Sequence, residues 1–423
     1  MKLMHSIKSK NFLKKSLTTV KTTFAVLAFI FIHTQLCSIE LKYDYIPGSK
    51  FKVETNIEGA QSINYSAPFF YKQYYKVNTN VLEIDESGIA LIQDDGYYYI
   101  NDNVGKNELQ EITTNFFVKY HKDLKGTTFV PVNSIFPVMR NIPLFPEENV
   151  IPGTTWESDG LEVQDFFSSN VISQLPVKAK YKFVGVESDS LQTAKILYTC
   201  NIDVKNTGDN CIDPKIYKVT GISNNTLFFS LKENRPLKET YERDYVIITS
   251  TMDTYRFVDS GNRVWTKIES TIDKKKEVSK IKNDIENQKL ENVNITETTD
   301  GLKLSLENIR FEPDSSVLTE QEALRLKEIA KILTKYKDKH IRIVGHTADR
   351  GTADAQMKLS ALRAKSVAKE LLRYNAITQK NTEIQGKGAE EPIASNDTEE
   401  NRKKNRRVEI FITDESWLCF VVS

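Results

Sequence analysis

The sequence predicts a multi-domain α+β protein: a β-rich N-terminal region, built as a sandwich or partial barrel, followed by a C-terminal α/β domain. Three observations carry this. Residues 39–268 hold many short aromatic and β-branched runs with turn signals between them. Residues 301–414 alternate strand-like runs with apolar stripes at helical spacing. Between them, 269–300 is charged and poor in apolar residues. With 39% apolar and 27% charged residues, the 423-residue chain is globular in composition and long enough for several domains. Its net charge of +1 supplies no basic field, which argues against nucleic acid as a partner.

Residues 1–38 read as a signal segment. Lys2, Lys8, Lys10, Lys14, Lys15 and Lys21 precede an apolar core, 24–32, too short to cross a bilayer without its flanks. Leu36-Cys37-Ser38 then offers cleavage after Ser38, lipidation of Cys37, or retention as an anchor. Residues 39–142 read as a first β-rich subdomain, with runs at 71–77 and 81–84 and a hairpin of 89–92 and 97–100 around Asp94-Asp95-Gly96. Pro131, Pro143, Pro146 and Pro152 mark an irregular connection. A second β-rich subdomain, 143–268, follows, with strands at 177–186, 193–204, 216–219, 226–231 and 245–251. A membrane barrel fits less well, because lysines recur where lipid-facing side chains are needed. Cys200 and Cys211 flank a predicted turn at 206–209 and can bridge in an exported protein.

In 269–300, Val278, Ile281 and Ile285 give a thin solvated helix, and 292–300 reads as a linker. In 301–414, strands are expected at 304–311, 341–344, 382–385 and 408–412. Leu326, Ile329, Ala330 and Leu333 line one helix, with Thr319 as its N-cap, and Ala364, Val367, Ala368 and Leu371 line a second. A short polar helix lies around 399–404, and 415–423, with Cys419, is a tail without an assigned role.

The most informative stretch runs from the strand at 341–344 into Gly345-His346-Thr347, a polar loop, and a helix bearing Gln356, Leu359-Ser360 and Arg363-Ala364. Leu304, Leu306, Asn308, Phe311, Ser315 and Leu318 precede it. Gly386-Lys387-Gly388, Pro392, Asn396, Thr398, Arg402 and Asn405-Arg406-Arg407-Val408-Glu409-Ile410 follow. In this order the residues resemble the peptidoglycan-associating OmpA C-terminal family, which carries Gly-His-Thr-Asp, Gly, Asn and Leu-Ser-x-x-Arg-Ala. The variant loop and the Lys- and Asn-rich composition look like spirochaetal members. The resemblance implies that Arg363 grips the carboxylate of the stem-peptide diamino acid, with Thr347, Asp349, Gln356, Asn405 and Arg407 around it. Two positions depart. Ala348 stands where the family aspartate pairs with the diamino acid's ammonium, and Gln356 replaces an asparagine. Three readings of Ala348 follow: Asp349 substitutes for the missing carboxylate, the wall carries a different diamino acid, or the domain no longer binds wall.

His346 is structural in that family, and no serine, cysteine or carboxylate pair is placed to work with it. No enzyme activity, metal or cofactor is therefore expected. The implied role is a non-enzymatic tether, in the periplasm or at the periplasmic face of the outer membrane. It would join the outer membrane or a periplasmic assembly to peptidoglycan, with the stem peptide and envelope proteins as partners. The alternative is a domain that has lost peptidoglycan binding and serves as a protein-interaction module. A flagellar-stator protein also ends in this domain, but it needs a long span carrying an acid, which 24–32 lacks.

Overall fold

The computed structural model describes residues 38–99, 109–168, 170–208, 211–269, 272–299, 301–312 and 315–413. The expected signal core, Cys37 and the tail with Cys419 lie outside the described residues. Strands β1 (Lys50–Ile63), β2 (Phe69–Ile84), β3 (Ala90–Tyr99) and β4 (Gln110–Lys122) form an antiparallel meander. Two short strands follow, β5 (Thr128–Phe129) and β6 (Met139–Arg140). A second meander contains β7 (Thr155–Gln164), β8 (Ser173–Val186), β9 (Thr193–Lys205), β10 (Ile216–Ser230), β11 (Arg235–Thr249) and β12 (Thr254–Ile268).

β12 returns to pair with β1 along its whole length, from Lys50 opposite Ile268 to Ile63 opposite Tyr255. The expected division at 142/143 is therefore replaced by one antiparallel sheet, ordered β7-β8-β9-β10-β11-β12-β1-β2-β3-β4. Within it β8 shows the period of two. Leu175, Val177, Ala179, Tyr181 and Phe183 are buried, while Lys178 and Lys180 pair on the other face with Asp159 and Glu157 of β7. An outer face built from such pairs suits water and not lipid.

The sheet curls over segments that precede or interrupt its strands. Tyr43 and Phe145 stack at 5.0 Å, and both meet the Phe229 ring edge-on. Strand glycines lie under aromatic rings. A Cβ at Gly96 would come within 1.9 Å of Phe116, at Gly261 within 2.4 Å of Tyr241, and at Gly221 within 2.7 Å of Tyr245. Covering a bare backbone with a cross-strand ring lets a sheet bend without opening a void.

Cys200 and Cys211 are both free, so the bridge allowed by sequence is absent. Ala179 of β8 faces Cys200, whereas Gln174 of the same strand donates its N–H to the Cys211 carbonyl. Five strand residues separate those two points by roughly 16 Å, beyond the reach of a disulfide.

The C-terminal sheet has the order β13 (Val293–Thr298), β14 (Gly301–Glu307), β17 (Arg407–Thr413), β15 (His340–Gly345) and β16 (Thr382–Gly386), with only β15 and β16 parallel. Helices α1 (Lys274–Asn287), α2 (Glu320–Leu333) and α3 (Ala353–Arg373) accompany it, with a short α4 (Glu399–Asn405). The apolar stripes expected on α2 and α3 are buried against Leu304, Ile343, Ile384 and Ile410. Thr319 caps α2 by accepting the Glu322 N–H at 3.3 Å.

The stretch expected to be a solvated helix and linker belongs to this core. Ile281 and Ile285 of α1 and Val293 and Ile295 of β13 are buried in it. Two alternating apolar residues were too short a pattern to register as a strand. Burying each such side chain contributes about 1.5–3 kcal/mol. A fragment of residues 272–413 is therefore expected to melt cooperatively, and one starting at 301 to melt at a lower temperature or not cooperatively. Equal midpoints by circular dichroism would contradict this packing.

The two sheets are also joined. β16 pairs in parallel with β4, Glu383 opposite Gln110 and Gln385 opposite Ile112. Beside that junction Lys76 Nζ lies 3.1 Å from Glu383 Oε1, which also accepts the Tyr99 hydroxyl at 2.8 Å and faces His340 Nε2 at 3.2 Å. All four side chains are buried.

Candidate functional site

β15 ends in Gly345 and passes into His346, Thr347 and Ala348, all buried, before the chain surfaces at Asp349 and Arg350. The His346 N–H donates to the Arg407 carbonyl at 2.9 Å and the Thr347 N–H to the Gly388 carbonyl at 2.8 Å. The turn is thereby clamped between β17 and the loop after β16. α3 lies very close to the ends of β15 and β16. A Cβ at Gly345 would sit 2.1 Å from the Ser360 carbonyl oxygen, and one at Gly386 2.6 Å from that of Met357. Ser360 Oγ then accepts the Gly388 N–H at 2.9 Å. Gly345, Gly386 and Ser360 thus set the seat of α3. Sequence reasoning quoted them as motif residues and missed this steric role, which glycines ending two successive parallel strands could have signalled.

Thr352 caps α3 through the Ala355 N–H at 3.3 Å. On its first turns the buried Gln356 donates from Nε2 to Asp349 Oδ1 at 3.0 Å and to the Gly351 carbonyl at 3.3 Å. The Asp349 N–H donates to Asn396 Oδ1 at 3.1 Å, and Asn405 Nδ2 donates to the same oxygen at 3.0 Å. Asp349, Gln356 and Asn405 are therefore brought into one network through Asn396. Asn405 is fully buried, and its Oδ1 accepts the N–H groups of Ile393 and Ala394. It shapes the loop from behind.

Arg407 is buried beneath the turn, bonded through Nε to Glu409 Oε1 at 2.9 Å and through one Nη to the Glu391 carbonyl at 3.0 Å. Burial pushes the Glu409 carboxyl up, but the neighbouring His346 ring and the Arg407 guanidinium outweigh it and hold the group well below the usual carboxylate range. His346 Nε2 stands 3.5 Å from Glu409 Oε2, an ion-pair distance.

Arg363 lies two helical turns beyond Gln356 on the same side of α3, about 10 Å along the axis. Its Nε donates to the Ser315 carbonyl at 3.2 Å, and its guanidinium lies over the Phe311 ring at 4.7 Å. Phe311 and Ser315 upstream therefore orient this arginine. Among the described residues, four buried polar atoms of the site, both His346 ring nitrogens, Thr347 Oγ1 and one Arg407 Nη, have no hydrogen-bond partner. Among the described residues no cluster of His, Cys, Asp and Glu could hold a metal ion.

Residues 310–406 match the OmpA family. The C-terminal domain is an OmpA-family domain. It is similar to the probable lipoprotein YiaD of Escherichia coli K12, 34% identical over 122 residues, which are 29% of this chain and 55% of that protein. It also resembles the outer-membrane lipoprotein YfiB of Pseudomonas aeruginosa, 37% identical over 90 residues, 21% of this chain and 53% of that one. Motility protein B of Bacillus subtilis is 30% identical over 140 residues, 32% and 54% of the respective chains. The chain thus spans about half the length of these curated relatives. Among solved structures, the periplasmic domain of Helicobacter pylori MotB is 33% identical, with 30% of this chain and 83% of that chain covered at a TM-score of 0.28. Among the described residues no helix of the OmpA-like chain is long and apolar enough to cross a membrane.

Proposed function

We propose that the OmpA-like domain holds the peptidoglycan stem peptide without covalent chemistry, tethering the outer membrane or a periplasmic assembly to the wall. The chain is a cell-envelope protein of the periplasm or outer membrane, a reading supported by its likeness to an outer-membrane lipoprotein and to a probable lipoprotein. The observation that carries the reading is an oriented Arg363 on the same side of α3 as a braced Asp349 loop, whose buried Thr347 hydroxyl has no partner among the described residues. A buried hydroxyl left unpaired costs stability unless a ligand completes it. Co-sedimentation of the full chain with purified sacculi tests this. Pelleting that free diamino acid competes away supports the tether, and a chain that stays in the supernatant overturns it.

Ala348 favours one second reading, a protein-interaction module. A buried methyl stands where the family places the carboxylate for the ligand's ammonium. The two readings separate on Ala348→Asp. If the diamino acid still binds, the new carboxylate adds one charge-assisted bond, roughly 1.5–3 kcal/mol, and strengthens wall binding about 10- to 100-fold. Without wall the same variant buries an unpaired carboxylate and melts at a lower temperature. Asp349→Ala asks who holds the ammonium now: lost binding assigns it to Asp349, and unchanged binding means the contact is gone.

A further inference from the structure

The curled N-terminal sheet encloses a cavity of about 800 Å³, between β1–β4 on one side and β9–β12 on the other, with 135–143 across it. That volume falls in the range of small-molecule sites, about 300–1,000 Å³. Much of its wall is apolar, including Val53, Ile57, Val77 and Leu227, and Phe116 and Phe136 stack at 3.6 Å along it. The basic groups at its polar end are already engaged. Arg263 pairs with Glu239 at 3.0 Å, and Arg243 with Asp259 at 2.8 Å. Two groups at that end keep hydrogen-bonding capacity facing the cavity. The Tyr245 hydroxyl is buried with no hydrogen-bond partner among the described residues. Glu162 is 4% exposed and accepts a bond from the neutral Gln164 side chain, and burial pushes its carboxyl up despite nearby Arg243. Interior polar atoms of this kind are ordinarily satisfied, and an apolar cavity lined by rings and aliphatic groups takes up apolar ligands.

We propose that this cavity binds a single-chain amphiphile, its apolar chain lying along Val53, Val77 and Phe116 and a non-anionic, hydrogen-bonding head reaching Tyr245 and Glu162. An anionic head is disfavoured at that end, since Arg243 and Arg263 are paired with carboxylates and Glu162 faces the same space; of the other cations on the wall, Arg235 pairs with Glu233, and Lys122 lies over the Tyr43 ring with Asp94 beside it. The site is separate from the OmpA-like domain.

The test uses the full chain and the neutral fluorophore N-phenyl-1-naphthylamine, displaced in turn by monoolein, oleylamine and oleate. The fluorophore is expected to brighten on the protein. Monoolein or oleylamine should displace it, with oleate roughly tenfold or more weaker. Val77→Trp, and independently Ser223→Trp from the facing wall, should abolish fluorophore binding while circular dichroism is unchanged. Tyr245→Phe should weaken monoolein and leave the fluorophore in place. A folded wild-type chain that leaves the fluorophore dark overturns the proposal. So does oleate that competes as well as monoolein, or a folded tryptophan variant that binds as wild type does.

Discussion

Replacing Lys76 by methionine, with Glu383 left in place, is expected to lower the stability of the folded chain by about 3–5 kcal/mol. Both side chains are almost fully buried at the junction of the two sheets, and their sequence separation is 307 residues. Removing the ammonium strands a carboxylate in a low-dielectric interior, where only Tyr99 and His340 remain beside it. The loss should sit toward the lower end of that range, because the Tyr99 hydroxyl still donates. Lys76→Met combined with Glu383→Gln should recover most of it, since no charge is then left unpaired. The acid limb carries an independent signature. Burial raises the Glu383 carboxyl, but His340, Lys76 and Tyr99 outweigh it and hold the group well below its ordinary value of 4.5. A depressed folded value means that the stabilisation is present above about pH 4.5 and is lost as pH falls toward the folded value. The double variant should lack that part of the slope. Urea midpoints for the three proteins at neutral and acid pH measure both effects, and a Lys76→Met chain as stable as wild type would remove this pair from the junction's energetics.

Arg363→Ala should abolish retention by sacculi. A guanidinium–carboxylate fork contributes at least the roughly 1.5–3 kcal/mol of one charge-assisted hydrogen bond, so affinity falls about 10- to 100-fold or more. Here the fork is held ready by the Phe311 ring and the Ser315 carbonyl. Arg363→Lys should therefore lose nearly as much as Arg363→Ala, because an ammonium reproduces neither the stacking nor the planar geometry. Arg363 is only half-buried, so both variants should keep the wild-type melting temperature within a few degrees. Equal pelleting of wild type and Arg363→Ala would remove the tether from this site and leave the protein-interaction reading.

What was legible in the sequence follows the range of the interactions involved. The stripes of α2 and α3 and the Thr319 cap are written within a few residues and were read directly, whereas the ends of α3 and its Thr352 cap were not. The Gly-His-Thr turn and the Leu-Ser-x-x-Arg helix were read as one site, and Asp349 and Gln356 do meet there. Asn405 and Arg407 could be read equally as groove residues or as partners of buried backbone at the last strand, and their side chains bond the backbone of the 393–394 loop and of Glu391, with Glu409 beside Arg407, because a polar side chain beside a strand end does not announce which backbone it satisfies. The pairing of β1 with β12 joins residues some two hundred positions apart, and no local pattern encodes it. β13 was missed for the opposite reason, since Val293 and Ile295 are too few to outweigh their polar neighbours.

The parallel seam between β4 and β16 has a mechanical meaning. β16 runs toward the loop of the candidate site, and at the end of the paired rungs Gln385 and Lys387 both bond Asn115 of β4, at 3.1 and 2.9 Å. A pull on that loop along the strand axis would strain all these bonds together, in shear, and would not peel them one after another. With Glu383 and Lys76 as a bolt beside the seam, tension entering at the C-terminal domain passes directly into the largest sheet of the molecule, bypassing the covalent stretch between β12 and α1.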